Sequence, residues 1–326
     1  TCTHAWASTH SRILHRLSGG LDSSIVLGCL GDAPACPDIT CVTHFVPGGS
    51  CDERPYARLA AGRSRCTHIE LARHVNWDFA KLGRMAPTVN PAPHLSFLEK
   101  GRIERHIAEE HGCTAIFDGS GGDYVLGGGP KDMVAADYMK RHGPDLEFAG
   151  IVRDVANATG RSIWSVLASA ARHGLSRQVK LPVASLGMNA LVSREIAAAY
   201  RSRKRFSHGW FDAAGDITPG TLMTILALSS PPMFYDPLCA TEDPVPDKIS
   251  PLLSTPVVEL CLRIPRYTHM HRGRDRGLAR EAFLPDVPRR ILDREWKDRA
   301  AGFAHQVVTR NLAFIREVLL NGSLIK

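Results

Sequence analysis

The 326-residue sequence predicts an α/β protein, with a parallel sheet and crossover helices over residues 1–130 and a mostly helical region over 131–326. Three observations predict it. Between residues 13 and 117, short β-rich runs alternate with helical periodicity at the spacing of strand–helix–strand units. Two of those runs end in glycine-rich turns, Leu17 to Ser24 and Asp118 to Asp123. From about Lys131 the β-rich runs thin out and apolar residues recur at helical spacing.

Taken in order, Ile13 to Leu17 reads as the first strand and Leu21 to Leu30 as the helix after it, joined through Leu17-Ser18-Gly19-Gly20-Leu21-Asp22-Ser23-Ser24. Asp32 to Asp38 is a loop with two prolines, and Ile39 to Val46 is a second strand stopped by Pro47-Gly48-Gly49. Asp52-Glu53 is placed to cap a helix running to about Arg65, and Thr67 to Leu71 is a third strand. After a loop with three prolines from Pro87 to Pro93, Leu95 to His111 has helical periodicity. Cys113 to Phe117 then reads as a buried strand feeding Asp118-Gly119-Ser120-Gly121-Gly122-Asp123. Further helices are expected over 131–141, 145–157, 163–173, 190–203, 220–228, 255–263, 274–283 and 304–320.

A strand, a tight glycine turn and a helix N-terminus together make an anion site. The first N–H groups of the helix have no intrahelical partner, Gly19 and Gly20 admit close approach, and Ser18, Ser23 and Ser24 offer hydroxyls. Asp22 is the odd member, because a carboxylate beside phosphates makes sense only with a cation between them, most simply Mg2+. For such turns in general the plainer reading is a capped helix with an acid in its first turn. The whole eight-residue string favours a nucleotide, and no Gly-Lys-Ser/Thr closes it as a Walker loop. Ligands of open α/β sheets gather beyond the carboxyl ends of the strands, so the two glycine turns should meet at one site. Asp123 would then share the cation with Asp22 on the β- and γ-phosphates of ATP; its plainer role is to cap the turn at Tyr124.

Composition bounds the classes open to the chain. Apolar residues at 44% allow a substantial core at this length. No run of about eighteen uncharged apolar residues appears, no basic start followed by an apolar stretch suggests a secretory signal, the lack of an initiating Met reads as a fragment or processed form, and the nine cysteines include no CxxC pair. Reduced thiols in a cytoplasmic protein are therefore expected, without a structural zinc site. The formal charge of +7 gathers around residues 263–280 and 288–299. It permits nucleic acid, an acidic peptide or a nucleotide polyphosphate and does not choose among them.

The string Ser18-Gly19-Gly20-Leu21-Asp22-Ser23 resembles the PP-loop, SGG-x-DS, of the ATP pyrophosphatases. Nearly the whole chain resembles the synthetase domain of class B asparagine synthetases, a group that includes β-lactam synthetase and the macrocyclases that close lasso peptides. Ser50-Cys51-Asp52-Glu53-Arg54 with Tyr56-Ala57 is similar to the S-x-DE-x-x-(Y)A segment, and Gly119, Gly121, Asp123, Gly127 and Gly128 to G-x-G-x-D-E-L-F-G-G. Lys248 to Ser254 resembles R-x-PFLD, Arg274 to Phe283 resembles K-x-x-LR-x-A, and Pro288 to Phe303 resembles P-x-x-(I/V)-x-x-R-x-K-x-G-F.

The resemblance implies an adenine nucleotide α-hydrolase-like fold, with ATP and Mg2+ as cofactors and Asp22 and Asp123 as the magnesium ligands. It implies nucleotide contacts from Leu17, Ser18, Gly19, Gly20, Leu21, Asp22, Ser23, Ser24, Gly119, Ser120 and Gly121, with His44 near the adenine and ribose. It assigns catalysis to Asp22, Asp123 and Lys297, although Arg294 to Lys297 has one residue more than the family's R-x-K. The chemistry implied is attack of a carboxylate on the α-phosphate of ATP, giving an acyl-adenylate and pyrophosphate, followed by displacement of AMP by an amine.

Departures from the pattern bear on substrate. Tyr124 replaces the glutamate after the magnesium aspartate, Ser254 replaces the aspartate of PFLD, and Ser120 replaces an acidic or aromatic residue. The acidic partners that would meet the α-ammonium of free aspartate are missing. Pro251-Leu-Leu-Ser-Thr-Pro256-Val-Val-Glu259 with G-x-G-G-D looks more like the lasso peptide cyclases. Cys2 lies only about fifteen residues before the PP-loop, too few for a glutaminase domain between them, and is expected to be an ordinary thiol; either such a domain belongs upstream of this stretch or the amine comes directly from the substrate. His94, Tyr124 and Trp296 are candidates for a peptide-facing wall. The partners expected are a precursor peptide or free aspartate as substrate, with a leader-binding protein and a leader protease, and no nucleic acid or membrane. The alternatives are an asparagine synthetase fragment, an ATP-binding partner protein without catalysis, and a tRNA- or nucleotide-modifying enzyme, the last disfavoured by Asp52-Glu53-Arg54 and Pro251 to Glu259.

Overall fold

The computed structural model of the chain describes residues 1–49, 52–74, 96–128, 131–176, 195, 198–199, 217–229, 246–295 and 301–321. Two units emerge: residues 1–129, 227–264 and 276–326 form the first, and residues 130–226 and 265–275 the second. The sequence places a division at residue 130; the chain leaves the first unit there, re-enters it at 227 and crosses twice more.

The first unit begins with helix α1 (Cys2–Ala7), strand β1 (Arg12–Arg16) and helix α2 (Leu21–Gly31). Then come β2 (Asp38–Phe45), α3 (Arg54–Ser64), β3 (Thr67–Ala72), α4 (Ser96–Glu110), β4 (Ala115–Phe117), the short α5 (Gly122–Val125) and, later, β5 (Asp247–Ile249). The five strands pair in the order β3-β2-β1-β4-β5, and every pairing is parallel. The order reverses at β1, where β2 lies on one side and β4 on the other. This is a doubly wound α/β sheet of the kind that binds ligands at the switch point.

Both faces of the sheet are covered, as parallel strands require. Alternation along β1 sends Ile13 to one apolar cluster and Leu14 to another. With Ile13 pack Leu17, Ile25 and Leu27 around α2, Ala57 and Ala60 of α3, and Ile291 and Leu292 of a later short helix. With Leu14 pack Val42, Ile107 and Ala108, which bring α4 onto the opposite face. Helix α2 is buried almost all round, so its sequence shows little amphipathic pattern.

The second unit is helical among the described residues. Val134–His142, Leu146–Thr159 and Ile163–Gly174 share a core of Val134, Tyr138, Phe148, Val152, Val155 and Val166. Asp145 caps the second of these by accepting the Phe148 N–H at 2.8 Å. Helix Pro219–Leu228 joins through Gly220, whose N–H donates to Asp137 at 2.7 Å.

Three expectations change. The helix expected over 274–283 shortens to Gly277–Ala282, because Arg276 stands in the left-handed region at φ 54° and ψ 33°. The terminal helix is two, Ala301–Arg310 and Leu312–Asn321, parted at Asn311. Strand β5 falls where the sequence suggests only a turn. The helix expected over 190–203 lies almost wholly outside the described residues.

Candidate active site

Strand β1 delivers the first glycine turn and β4 the second, and the two come into contact. A Cβ on Gly122 would stand 2.4 Å from Asp22 Cγ, and one on Gly119 would stand 2.5 Å from the Ser23 nitrogen. Only glycine allows backbone to run this close. The first turn is held from the other side by α3: Gly19, at φ +75°, lies so near that a Cβ would be 2.7 Å from the Glu53 carbonyl oxygen and 2.9 Å from the Ala57 nitrogen. Its positive φ and this crowding both demand glycine.

Inside the first turn the serines divide their work. The Ser24 hydroxyl donates to the Gly20 carbonyl at 2.8 Å and the Ser23 hydroxyl to the same oxygen at 3.3 Å. Both residues are buried, and these hydroxyls shape the turn. Ser18 is exposed, and its Oγ accepts the Gly20 N–H at 3.2 Å. Beneath them His15 Nε2 bonds the Ser23 carbonyl at 2.9 Å. Burial drives the His15 imidazole down to about 4, against the opposing pull of the Ser23 carbonyl and Asp118. A neutral ring donating through Nε2 is the form that fits an acceptor carbonyl.

The two aspartates share one partner. Arg276 Nη1 donates to Asp22 Oδ1 at 2.7 Å, to Asp22 Oδ2 at 2.8 Å and to Asp123 Oδ1 at 3.0 Å. The Asp22 and Arg276 side chains are nearly enclosed, whereas the Asp123 side chain is 53% exposed. Two carboxylates from separate turns thus converge on one cationic atom. That donor set suits a hard divalent ion, which takes carboxylate oxygens and completes its shell with phosphate and water.

An ion network underlies both turns. Arg16, the residue before the first turn, donates through Nε to Glu104 at 2.7 Å and reaches Asp118, the residue before Gly119, at 3.4 Å. Asp118 also accepts from the Ser120 N–H at 2.9 Å and the Ser250 hydroxyl at 2.7 Å. Glu104 is fully buried on α4, with His44 Nε2 at 2.9 Å and the Lys100 ammonium at 3.6 Å. Burial alone would raise the Glu104 carboxyl; Lys100, Arg16 and His44 outweigh it and hold the group at about 2. His44, expected near the nucleotide, has its Nε2 committed to this network.

Lys297, Trp296 and His94 lie outside the described residues. Three positions before Lys297, Arg294 is buried, ion-paired to Glu53 and placed 4.7 Å from the centre of the Tyr56 ring. Glu53 is also the residue whose backbone walls Gly19. The sequence pointed to neither Arg276 nor Arg16, Glu104 and His15. The first is one of many arginines in the basic run over 263–280, and the others need the sheet order to bring them together. Seven described cysteines are free thiols. No described helix is long and apolar enough to cross a membrane.

A parallel sheet whose switch point carries two glycine turns, a helix N-terminus and paired aspartates defines a PP-loop-like α/β fold. The asparagine synthase family model matches residues 9–218 and 247–324. The chain belongs to that family. Among solved structures it is similar to the U34-tRNA thiolase NcsA from Methanococcus maripaludis with its [4Fe-4S] cluster, at 14% identity and a TM-score of 0.26. That match covers 52% of this chain, which spans 61% of the thiolase chain. No curated protein matches.

Proposed function

We propose that the chain is a cytoplasmic, AMP-forming ligase that adenylates an Asp or Glu side chain of a precursor peptide and closes a macrolactam with the peptide's own N-terminal amine. The convergence of Asp22 and Asp123 on one cationic position carries the reading. Mg2+ held there would neutralise the β- and γ-phosphates and stabilise departing pyrophosphate. The first-turn N–H groups of α2 receive phosphate oxygens at the end of β1. A peptide carboxylate oxygen attacks the α-phosphorus, the bond to the bridging oxygen of pyrophosphate breaks, and pyrophosphate leaves. The amine nitrogen then attacks the acyl carbon and loses a proton, and AMP departs with the acyl–oxygen bond broken. Lys297 is the cation placed by the family pattern to answer charge growing at the α-phosphate in both steps.

Ser254 supports a peptide over free aspartate. Its hydroxyl accepts the Trp6 indole N–H at 3.0 Å, at a position where an acid would be needed to pair with an α-ammonium. Holding both ends of one peptide makes the second step effectively unimolecular. ATP–pyrophosphate exchange with and without candidate precursor peptide tests the proposal, with nucleotide products identified by chromatography. Peptide-dependent exchange with release of AMP supports it. Release of ADP, or exchange dependent on free aspartate with formation of asparagine, overturns it.

A further inference from the structure

We propose that Arg276 is a built-in counter-ion that keeps the place of the divalent cation and must be displaced when metal and nucleotide load, an inference that rests on the nucleotide reading above. Three features carry it. A single guanidinium nitrogen touches both oxygens of Asp22 and one of Asp123, at 2.7, 2.8 and 3.0 Å, so positive charge is concentrated at one point between them. Asp22 has little room to turn away, since Gly122 backbone presses against it so closely that a Cβ would lie 2.6 Å from Oδ1. The Arg276 backbone sits at φ 54° and ψ 33°, a conformation that residues other than glycine adopt rarely and that clusters at functional sites.

The electrostatics then dictate exchange. Two carboxylates this near repel one another, and the arginine places a positive charge between them. A magnesium ion needs carboxylate oxygens at about 2.1 Å, and it cannot enter the wedge while Nη1 occupies it at hydrogen-bond distance. A divalent ion alone is therefore a poor ligand for the resting protein. The metal should bind well only together with the nucleotide, whose phosphates complete its coordination shell.

The test measures Mn2+ binding to the full chain without nucleotide, by electron paramagnetic resonance, for the wild type and Arg276→Gln. Emptying the wedge of its fixed charge should tighten Mn2+ binding by roughly tenfold or more. Adding Asp123→Asn to Arg276→Gln should reverse most of that gain. Equal or weaker binding by Arg276→Gln, or a gain indifferent to Asp123→Asn, overturns the proposal. If Arg276→Gln is unfolded without metal, millimolar Mn2+ alone should restore its near-ultraviolet dichroism, and failure to restore it also overturns the proposal. ATP–pyrophosphate exchange by the wild type is scored separately. A Mn2+ gain without exchange removes the ligase reading and leaves the counter-ion, and exchange without the gain does the reverse.

Discussion

Replacing Glu104 by glutamine removes one negative charge from a site where Arg16, His44 and Lys100 all converge at 2.7 to 3.6 Å. The carboxyl is held at about 2 against an ordinary value of 4.5. At about 1.4 kcal/mol per pKa unit, that depression corresponds to about 3 kcal/mol of folding stability near neutrality. The same order follows from removing one partner of a buried ion pair, which costs about 3 to 5 kcal/mol because the remaining cations stay buried. Urea unfolding of wild type and Glu104→Gln at pH 7 should therefore differ by about 3 kcal/mol. The sign in acid is fixed by the direction of the shift. A carboxyl whose folded value lies below its unfolded value contributes fully above the unfolded value and loses that contribution as pH falls through the folded one. The gap between the two proteins should thus narrow below pH 4.5 and close towards pH 2. Equal urea midpoints at pH 7, or a gap that persists unchanged at pH 3, would refute the assignment of Glu104 as the charged centre of the network.

Asp137 predicts the opposite behaviour, since burial lifts its carboxyl to about 6 from 3.8 despite the Gly220 N–H and Arg266. Its ionised form costs stability above that value, so Asp137→Asn should raise the urea midpoint at pH 8 and lose the advantage at pH 4. Gly122→Ala places a methyl 2.4 Å from Asp22 Cγ and should weaken ATP binding by roughly a hundredfold, read by calorimetry, while circular dichroism reports a retained sheet. Lys297→Ala should leave ATP binding within roughly a factor of three, while suppressing pyrophosphate exchange by at least about a hundredfold. Loss of binding with unchanged turnover per bound ATP would remove its assigned role.

What was legible in the sequence follows from the range of the interactions involved. Strands β1, β2 and β3 and helices α3 and α4 announce themselves by local periodicity, α2 by the glycine turn and apolar run that open it, and the structure moves their ends by about one residue at most. Strand β5 is three residues long, too short for any alternation to register, and only its partnership with β4 makes it a strand. The paired aspartates were readable because each sits in a glycine turn whose geometry is local. The partner they share was not. Arg276 is 254 positions from Asp22, in a run of arginines that differ only in where the backbone points them. Its left-handed conformation delays the start of the expected helix to Gly277, which helical periodicity does not foretell.

The same reasoning explains why the site is built on charge below as well as above. Glycine turns are the least self-supporting segments of a chain, because glycine loses the most conformational entropy on ordering. Here Arg16, just before the first turn, is paired to the buried Glu104, and it also reaches Asp118, the residue that opens the second. Arg16 cannot be neutralised at any accessible pH, and Asp118, which burial alone would raise, is held down by Arg16, Ser250 and Ser120. The two turns are thus held together from beneath by an electrostatic tie. Arg276 presents the contrasting case on the open side of the same turns, a cation whose place a metal can take.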